Sequence, residues 1–179
     1  MNMLGFGQPE GSIIQFAYTV PDLHATMAAY TRQLGIGPWF LVEHFPGSEM
    51  EYRGAPTDVD FSLAMAFSGT MAVEVIQQHG EAPSVYRETI DRQGHGFHHW
   101  GIATRDFDRD VRRYEDLGYT RAFSARAPVG DRIAYFDTTA DMPGMVELIE
   151  IGPATDEMFT GWYRAAQDWD GTDPIRVPS

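Results

Sequence analysis

Along the chain, an alternation of apolar and polar positions gives way to helical spacing, and it does so twice. Residues 13–20 are a β-rich run; Asp22 follows as a natural N-cap, and Leu23, Met27 and Tyr30 then recur at helical spacing, with Gly35 as the stop. The second occurrence runs through His99, is capped by Asp106, places Phe107, Val111 and Tyr114 on one helix face, and stops at Gly118. Aligned, the segments Gln15–Leu23 and His99–Phe107 each begin with a side chain able to bind metal and reach an Asp seven positions later. Tyr30 and Tyr114 then lie eight residues past the respective Asp, and Leu34-Gly35 and Leu117-Gly118 close the copies. This is an internal repeat, and it predicts two similar structural units.

Three further strands are predicted after each helix, near 38–44, 60–67 and 71–77 in the first copy and near 119–127, 132–137 and 145–150 in the second. Gly69 and Pro143-Gly144 mark the turns before the last strands. Each copy therefore reads βαβββ. The chain divides into an N-terminal extension 1–12, a first module 13–80, a linker 81–96 with a short helix over 83–93, a second module 97–152, and a C-terminal segment 153–179. The last segment carries a helix over 155–169, with Thr155 as N-cap and Phe159, Trp162, Tyr163 and Ala166 on one face. The polar stretch 45–59 reads as a long loop, either a lid or binding loop or a mobile surface insertion.

Composition narrows the chemistry. The 179 residues carry a formal net charge of -13, which disfavours nucleic acid and other polyanions. There is no Cys, which excludes disulfides, thiolate catalysis and thiolate metal ligands. Every basic residue is Arg, so Schiff-base chemistry and Lys-anchored pyridoxal phosphate are also excluded. A catalytic base must then be a carboxylate, a His or a Tyr. No apolar run approaches the ~20 residues of a membrane helix, and the N-terminal residues lack a signal-peptide pattern. A cytoplasmic location is the default expectation.

The last strand of each copy places a Glu among aliphatic neighbours: Ala72-Val73-Glu74-Val75-Ile76 and Met145-Val146-Glu147-Leu148-Ile149. A carboxylate there is costly to bury unless it is paired or metal-bound, and two at matching positions need a common cause. The matching first strands carry Gln15 and His99. Together Gln15, Glu74, His99 and Glu147 offer oxygen and imidazole donors suited to one divalent metal ion. Alternation puts the small residues Ala17 and Gly101 on the ligand face and Phe16, Tyr18, Trp100 and Ile102 on the opposite face, under the helices. His98 alternates to that packed side as a structural residue.

The segments QFAYTVPDL, AVEVIQQ, GFHHWGIATRDF and GMVELIE, in that order and with the repeat, resemble the vicinal oxygen chelate superfamily over residues 13–151. The nearest likeness is to its glyoxalase I and methylmalonyl-CoA epimerase branches. The resemblance implies an α+β fold in which two βαβββ modules pair curved mixed sheets around a metal-binding cleft, here with a C-terminal helix added. The order Gln15, Glu74, His99, Glu147 is similar to the Gln-Glu-His-Glu set of zinc-type glyoxalase I. Epimerases more often have His first and Gln second. Zinc is the first choice, with Ni, Co, Mn or Fe as alternatives.

The implied function is that of a lyase or isomerase, glyoxalase- or epimerase-like, which stabilises the enolate of a small carbonyl substrate and moves its alpha proton. Glu147 is the expected main base and Glu74 its counterpart; Glu43, His44, Glu49 and Glu51 are the other base candidates. Two other readings are a non-catalytic small-molecule binding or resistance protein of the same fold, and a ring-cleaving dioxygenase, for which Gln15 replaces the required His. Trp39, Phe40, Phe45, Tyr52, Phe123, Tyr135 and Trp162 are candidates to line the cleft or fill the core. Arg53, Arg126 and Arg132 would have to grip phosphates if the substrate were a CoA thioester. A homodimer is expected from base rates.

Overall fold

The computed structural model describes residues 2–178. The first copy of the repeat comprises β1 (Ile13–Thr19), α1 (Leu23–Leu34), β2 (Trp39–Val42), β5 (Phe61–Ser68) and β6 (Met71–Gln78), with β3 (Ser48–Tyr52) and β4 (Ala55–Pro56) inserted between β2 and β5. After α2 (Val85–Gln93), the second comprises β7 (Gly96–Thr104), α3 (Phe107–Asp116), β8 (Thr120–Arg126), β9 (Arg132–Asp137) and β10 (Met145–Glu150). α4 (Pro153–Gln167) and β11 (Ile175–Arg176) end the chain. The fold is the α+β arrangement expected from the repeat, with a C-terminal helix.

The capping chemistry read from the sequence sets both repeat helices. Asp22 accepts from the Ala25 amide at 2.8 Å and Asp106 from the Arg109 amide at 3.3 Å. Gly35 ends α1 at φ 67, a left-handed conformation open to glycine without strain. Leu23 and Met27 then pack with Val73, Val75 and Trp39, while Phe107 and Val111 pack with Phe136 and Leu148.

All strands join one curved, unclosed sheet in the order β11-β2-β5-β6-β1-β7-β10-β9-β8-β3-β4. The two copies meet where β1 pairs antiparallel with β7, and each first strand pairs in parallel with its own last strand, β1 with β6 and β7 with β10. The four central strands are thus the first and last of each module, and they carry the four candidate ligands.

Three features depart from the sequence expectations, and a fourth, the packing of the N-terminal extension, lies outside them. The stretch 45–59 is not a bare loop: β3 and β4 form a hairpin that crosses to the second module, where Tyr52 pairs opposite Phe123 on β8. Met50 and Tyr52 pack against the core there, so the alternation Glu49-Met50-Glu51-Tyr52 was a strand signal masked by polar neighbours. Helix α4 starts at Pro153, with Gly152 as N-cap, because Pro at the first helical position presets the backbone; Thr155 instead donates to Asp131. The N-terminal extension is tied down, with Leu4 and Phe6 buried among Phe67, Phe159 and their neighbours. Phe16 and Trp100 do not lie under helices but pack against each other, half-buried, at the seam between the modules with ring centroids 5.3 Å apart.

Candidate metal centre

The β1–β7 pairing carries two irregularities, and they shape the site. Phe16 pairs with Trp100 and Ala17 with His99, but the next pair is Tyr18 with Phe97, so His98 is an extra residue. At the other end Ile13 pairs with Ile102 and Gln15 with Gly101, so Ile14 is extra. These are β-bulges, which re-aim side chains locally. In the repeat alignment Ile14 and His98 are equivalent, each immediately before the first-strand ligand. Both turn inward. Ile14 joins the apolar cluster beneath α4, and His98 packs beside His99, Tyr86 and Tyr135. The expectation that alternation sends His98 to the outer, packed side is therefore corrected, because the bulge cancels one step of the alternation.

The four sequence-predicted ligands converge. Gln15, Glu74, His99 and Glu147 are all buried, at 1%, 3%, 0% and 4% exposure. Gln15 Nε2 lies 2.9 Å from Glu74 Oε2, 3.3 Å from Glu147 Oε2 and 3.2 Å from His99 Nε2. His99 Nε2 lies 3.4 Å from Glu74 Oε2 and 3.1 Å from Glu147 Oε2. Register explains the convergence. Ala17 pairs with both Glu74 and His99, and Gly101 pairs with both Glu147 and Gln15, so one small residue per module sits among the ligands. A Cβ at Gly101 would fall 2.8 Å from Gln15 Cβ and 3.0 Å from Ile149 Cδ1, so only glycine leaves Gln15 its place.

The donor set fits a divalent ion. Donors bound at about 2.0–2.2 Å to one ion are separated from each other by roughly 3 Å, close to the separations here. Gln15 Oε1 is buried without a hydrogen-bond partner. The amide O and N are near-interchangeable in shape, so turning the amide over directs that orphaned oxygen at the cluster. Two carboxylates in so dry a place also call for a counter-charge.

The neighbouring histidine fixes the imidazole. His98 Nε2 is 3.2 Å from the Val85 carbonyl, which can only accept, so Nε2 carries the hydrogen. Burial, then the charge of His99, push the His98 pKa down to about 3, so it is neutral and its Nδ1 is bare. That Nδ1 is 2.8 Å from His99 Nδ1, which must therefore be the donor. His99 Nε2 is left facing the two carboxylates. Burial alone would lower the His99 pKa, but Glu147 and Glu74 outweigh it and raise it to about 9. Burial raises Glu74, partly offset by His99. Burial, reinforced by the two carboxylates, holds Tyr86 and Tyr135 protonated.

The cluster forms one wall of a cavity of about 500 Å³. Of the aromatic candidates, Phe45, Tyr135 and Trp162 line it. Trp39 lies under α1, Phe40 stacks on Trp162, Phe123 is core and Tyr52 donates to Glu88. Of the other candidate bases only Glu43 reaches the cavity wall. His44 pairs with Asp60 at 2.8 Å on the surface, Glu49 faces Arg126 at 3.4 Å, and Glu51 is exposed.

A family model described as Glyoxalase/Bleomycin resistance protein/Dioxygenase superfamily matches residues 14–136. No curated protein matches the sequence. Among solved structures, methylmalonyl-CoA epimerase from Mycobacterium tuberculosis is similar at 20% identity and TM-score 0.56, over 79% of this chain and 89% of that one. A hypothetical protein from Bacillus halodurans C-125 gives 16% identity and TM-score 0.58, over 79% and 94%. A Streptomyces coelicolor methylmalonyl-CoA epimerase variant in complex with 2-nitronate-propionyl-CoA gives 19% and 0.52, over 79% and 98%. At these identities the structures establish the fold, and the family match adds membership: the chain belongs to the glyoxalase/bleomycin resistance protein/dioxygenase superfamily.

Proposed function

We propose that this protein is a metal-dependent lyase or isomerase that moves the proton alpha to a carbonyl group. In this reading Gln15, Glu74, His99 and Glu147 hold one divalent ion, zinc by first choice, and Glu147 and Glu74 are the bases. The observation that carries the reading is the convergence of four buried side chains, with Gln15 Nε2 2.9–3.3 Å from the other three and His99 Nε2 3.1–3.4 Å from both carboxylates, and with Gln15, Glu74 and Glu147 on the wall of a substrate-sized cavity. A divalent ion in that place supplies Lewis-acid stabilisation of a developing oxyanion. The chain's own groups do the rest. Glu147 and Glu74 come from opposite modules and so address a flat substrate from different sides; one removes the proton and the other returns one. Tyr86 and Tyr135, kept protonated, are hydroxyl donors on the same cavity wall. Solved relatives named methylmalonyl-CoA epimerase share the fold, which supports proton transfer next to a carbonyl as a chemistry it accommodates. We expect a homodimer.

The test is metal content together with exchange of an alpha proton for deuterium, followed by NMR on a panel of ketones and thioesters. About one ion per chain is expected, with exchange lost on chelation and restored on reloading. Purification of His99→Ala with undiminished metal would defeat the ligand assignment. Tight ligand binding with no exchange on any compound would favour the non-catalytic binder, a reading to which the large apolar cavity also lends itself.

His98 gives a sharper prediction. A residue that orients a ligating imidazole typically contributes about 10–100-fold to metal affinity. His98→Gln and His98→Leu are expected to weaken Zn²⁺ binding by about that factor in chelator competition, because neither places an acceptor where Nδ1 lies. His98→Asn, whose Oδ1 falls near that position, is expected to stay within a few-fold of wild type. Equal losses for Asn and Gln would exclude the hydrogen bond as the cause.

A further inference from the structure

The cavity beside the ligand cluster has a composition that selects among substrates. Phe61, Leu63 and Met65 of β5 form one side, Ile133 and Ile149 another, and Phe159 and Trp162 of α4 the roof. Its charged lining groups are all carboxylates: the proposed ligands Glu74 and Glu147, then Glu43, Asp131 and Glu150. No Arg is among the described lining residues, and the sequence has no Lys.

The three Arg candidates for phosphate binding are already engaged, Arg132 by the lining residue Glu150 itself. Arg132 pairs with Glu150 at 2.7 Å and Asp108 at 2.8 Å, and its guanidinium lies 4.5 Å from the Phe107 ring centre. Arg53 is held by Glu88 and by Asp137 at 2.8 Å. Arg126 donates to the Gly130 carbonyl at 2.7 Å and faces Glu49 at 3.4 Å. Phosphate and carboxylate recognition rests on such cations; with Glu74 and Glu147 assigned to the ion and Glu150 paired with Arg132, the remaining lining charges are Glu43 and Asp131, which disfavour both groups.

We infer that the site takes an uncharged, largely apolar carbonyl compound, with its carbonyl toward Gln15, Glu74 and Glu147 and its body against β5 and α4, and that it discriminates against CoA and glutathione derivatives. The placement of the carbonyl rests on the function proposed above; the preference for an uncharged body rests on the cavity alone. At about 500 Å³ the space lies within the range that encloses small organic ligands. Helix α4 is central to this preference, since it supplies three apolar roof residues, Met158, Phe159 and Trp162.

The experiment pairs one acyl group with and without a nucleotide. The neutral fluorophore N-phenyl-1-naphthylamine is bound to the metal-loaded protein, then displaced by S-butyl phenylthioacetate or by phenylacetyl-CoA. The neutral thioester is expected to displace the probe at concentrations at least about tenfold lower, the loss that about 1.4 kcal/mol of differential affinity produces. Met158→Arg, which sets a cation on the half-buried roof, is expected to weaken the probe and narrow the gap between the two thioesters. Equal or tighter binding of the CoA ester to wild type would overturn the inference. Deuterium exchange on the same two compounds separates it from the proposed function. Binding of the neutral thioester without exchange counts against the proton-transfer reading and leaves the preference standing. Exchange on the CoA ester alone overturns the preference and leaves proton transfer standing.

Discussion

Replacing Glu147 with Gln is expected to reduce turnover by a factor of about 10²–10⁴ while the protein keeps its metal, the range that a positioned general base contributes. The substitution removes one function and spares another. Gln retains a carbonyl oxygen of nearly the same position, so it can still serve as a ligand, as Gln15 is proposed to do in the other module. It cannot accept a proton. The site tolerates the change sterically, since the amide has the carboxylate's shape. It also removes one buried negative charge, and the 3.1 Å contact of Glu147 Oε2 with His99 Nε2 can persist as a hydrogen bond when that nitrogen is protonated. Alpha-proton exchange and elemental analysis on the same sample decide the matter. Near-full turnover with metal bound would show that Glu147 is a ligand only. Glu74→Gln is the companion variant, and a smaller loss there would identify Glu147 as the principal base.

The second large effect is the pH dependence of metal uptake. In the metal-free protein the His99 pKa is raised to about 9, because Glu147 and Glu74 outweigh the effect of burial. A His raised above its unfolded value of 6.5 contributes stability that is fully present below 6.5 and is lost as the pH rises through about 9. Glu74 is also raised, chiefly by burial, so its deprotonation destabilises the metal-free fold in the same direction. The metal-free thermal midpoint is therefore expected to fall as the pH rises from 6.5 toward about 9. Metal binding requires a bare Nε2, so the ion must displace that proton. Affinity should rise about tenfold per pH unit over the same window, with about one proton released per ion, as titration calorimetry in buffers of different ionisation heat would detect. A flat affinity across the window would mean that His99 Nε2 is already unprotonated in the metal-free protein.

Much of this arrangement was legible in the sequence because the repeat carried it. Asp22 and Asp106 fixed the helix starts, and equivalent Glu residues in equivalent strands pointed to the buried cluster of candidate ligands without any knowledge of packing. Apart from the start of α4, which Pro153 sets locally, the misses have a common physical origin: each depends on contacts between segments distant in the chain. The bulge at His98 exists only in relation to β1, and strict alternation applied to β7 alone puts the side chain on the wrong face. The β3–β4 hairpin pairs with β8, across the molecule, so its short alternation looked like loop. The commitment of Arg53 to Glu88 and Asp137 is likewise a product of tertiary structure. What composition alone did convey, the absence of Lys and the excess of carboxylates, turned out to describe the cavity as well as the surface.

The unequal bulges have a stereochemical consequence. The seam relates the modules by approximate twofold symmetry, and a cleft with identical groups on both sides would accept a planar molecule in two equivalent poses. Ile14 opposite His98, and Gln15 opposite His99, abolish that equivalence: an amide backed by aliphatic packing stands on one side and a hydrogen-bonded imidazole on the other. α4 packs near Ile14 on one side, and α2 packs near His98 on the other. A prochiral carbon held there would meet Glu74 and Glu147 in one fixed sense, so handedness in the product would originate in a difference between two otherwise matching turns of the backbone.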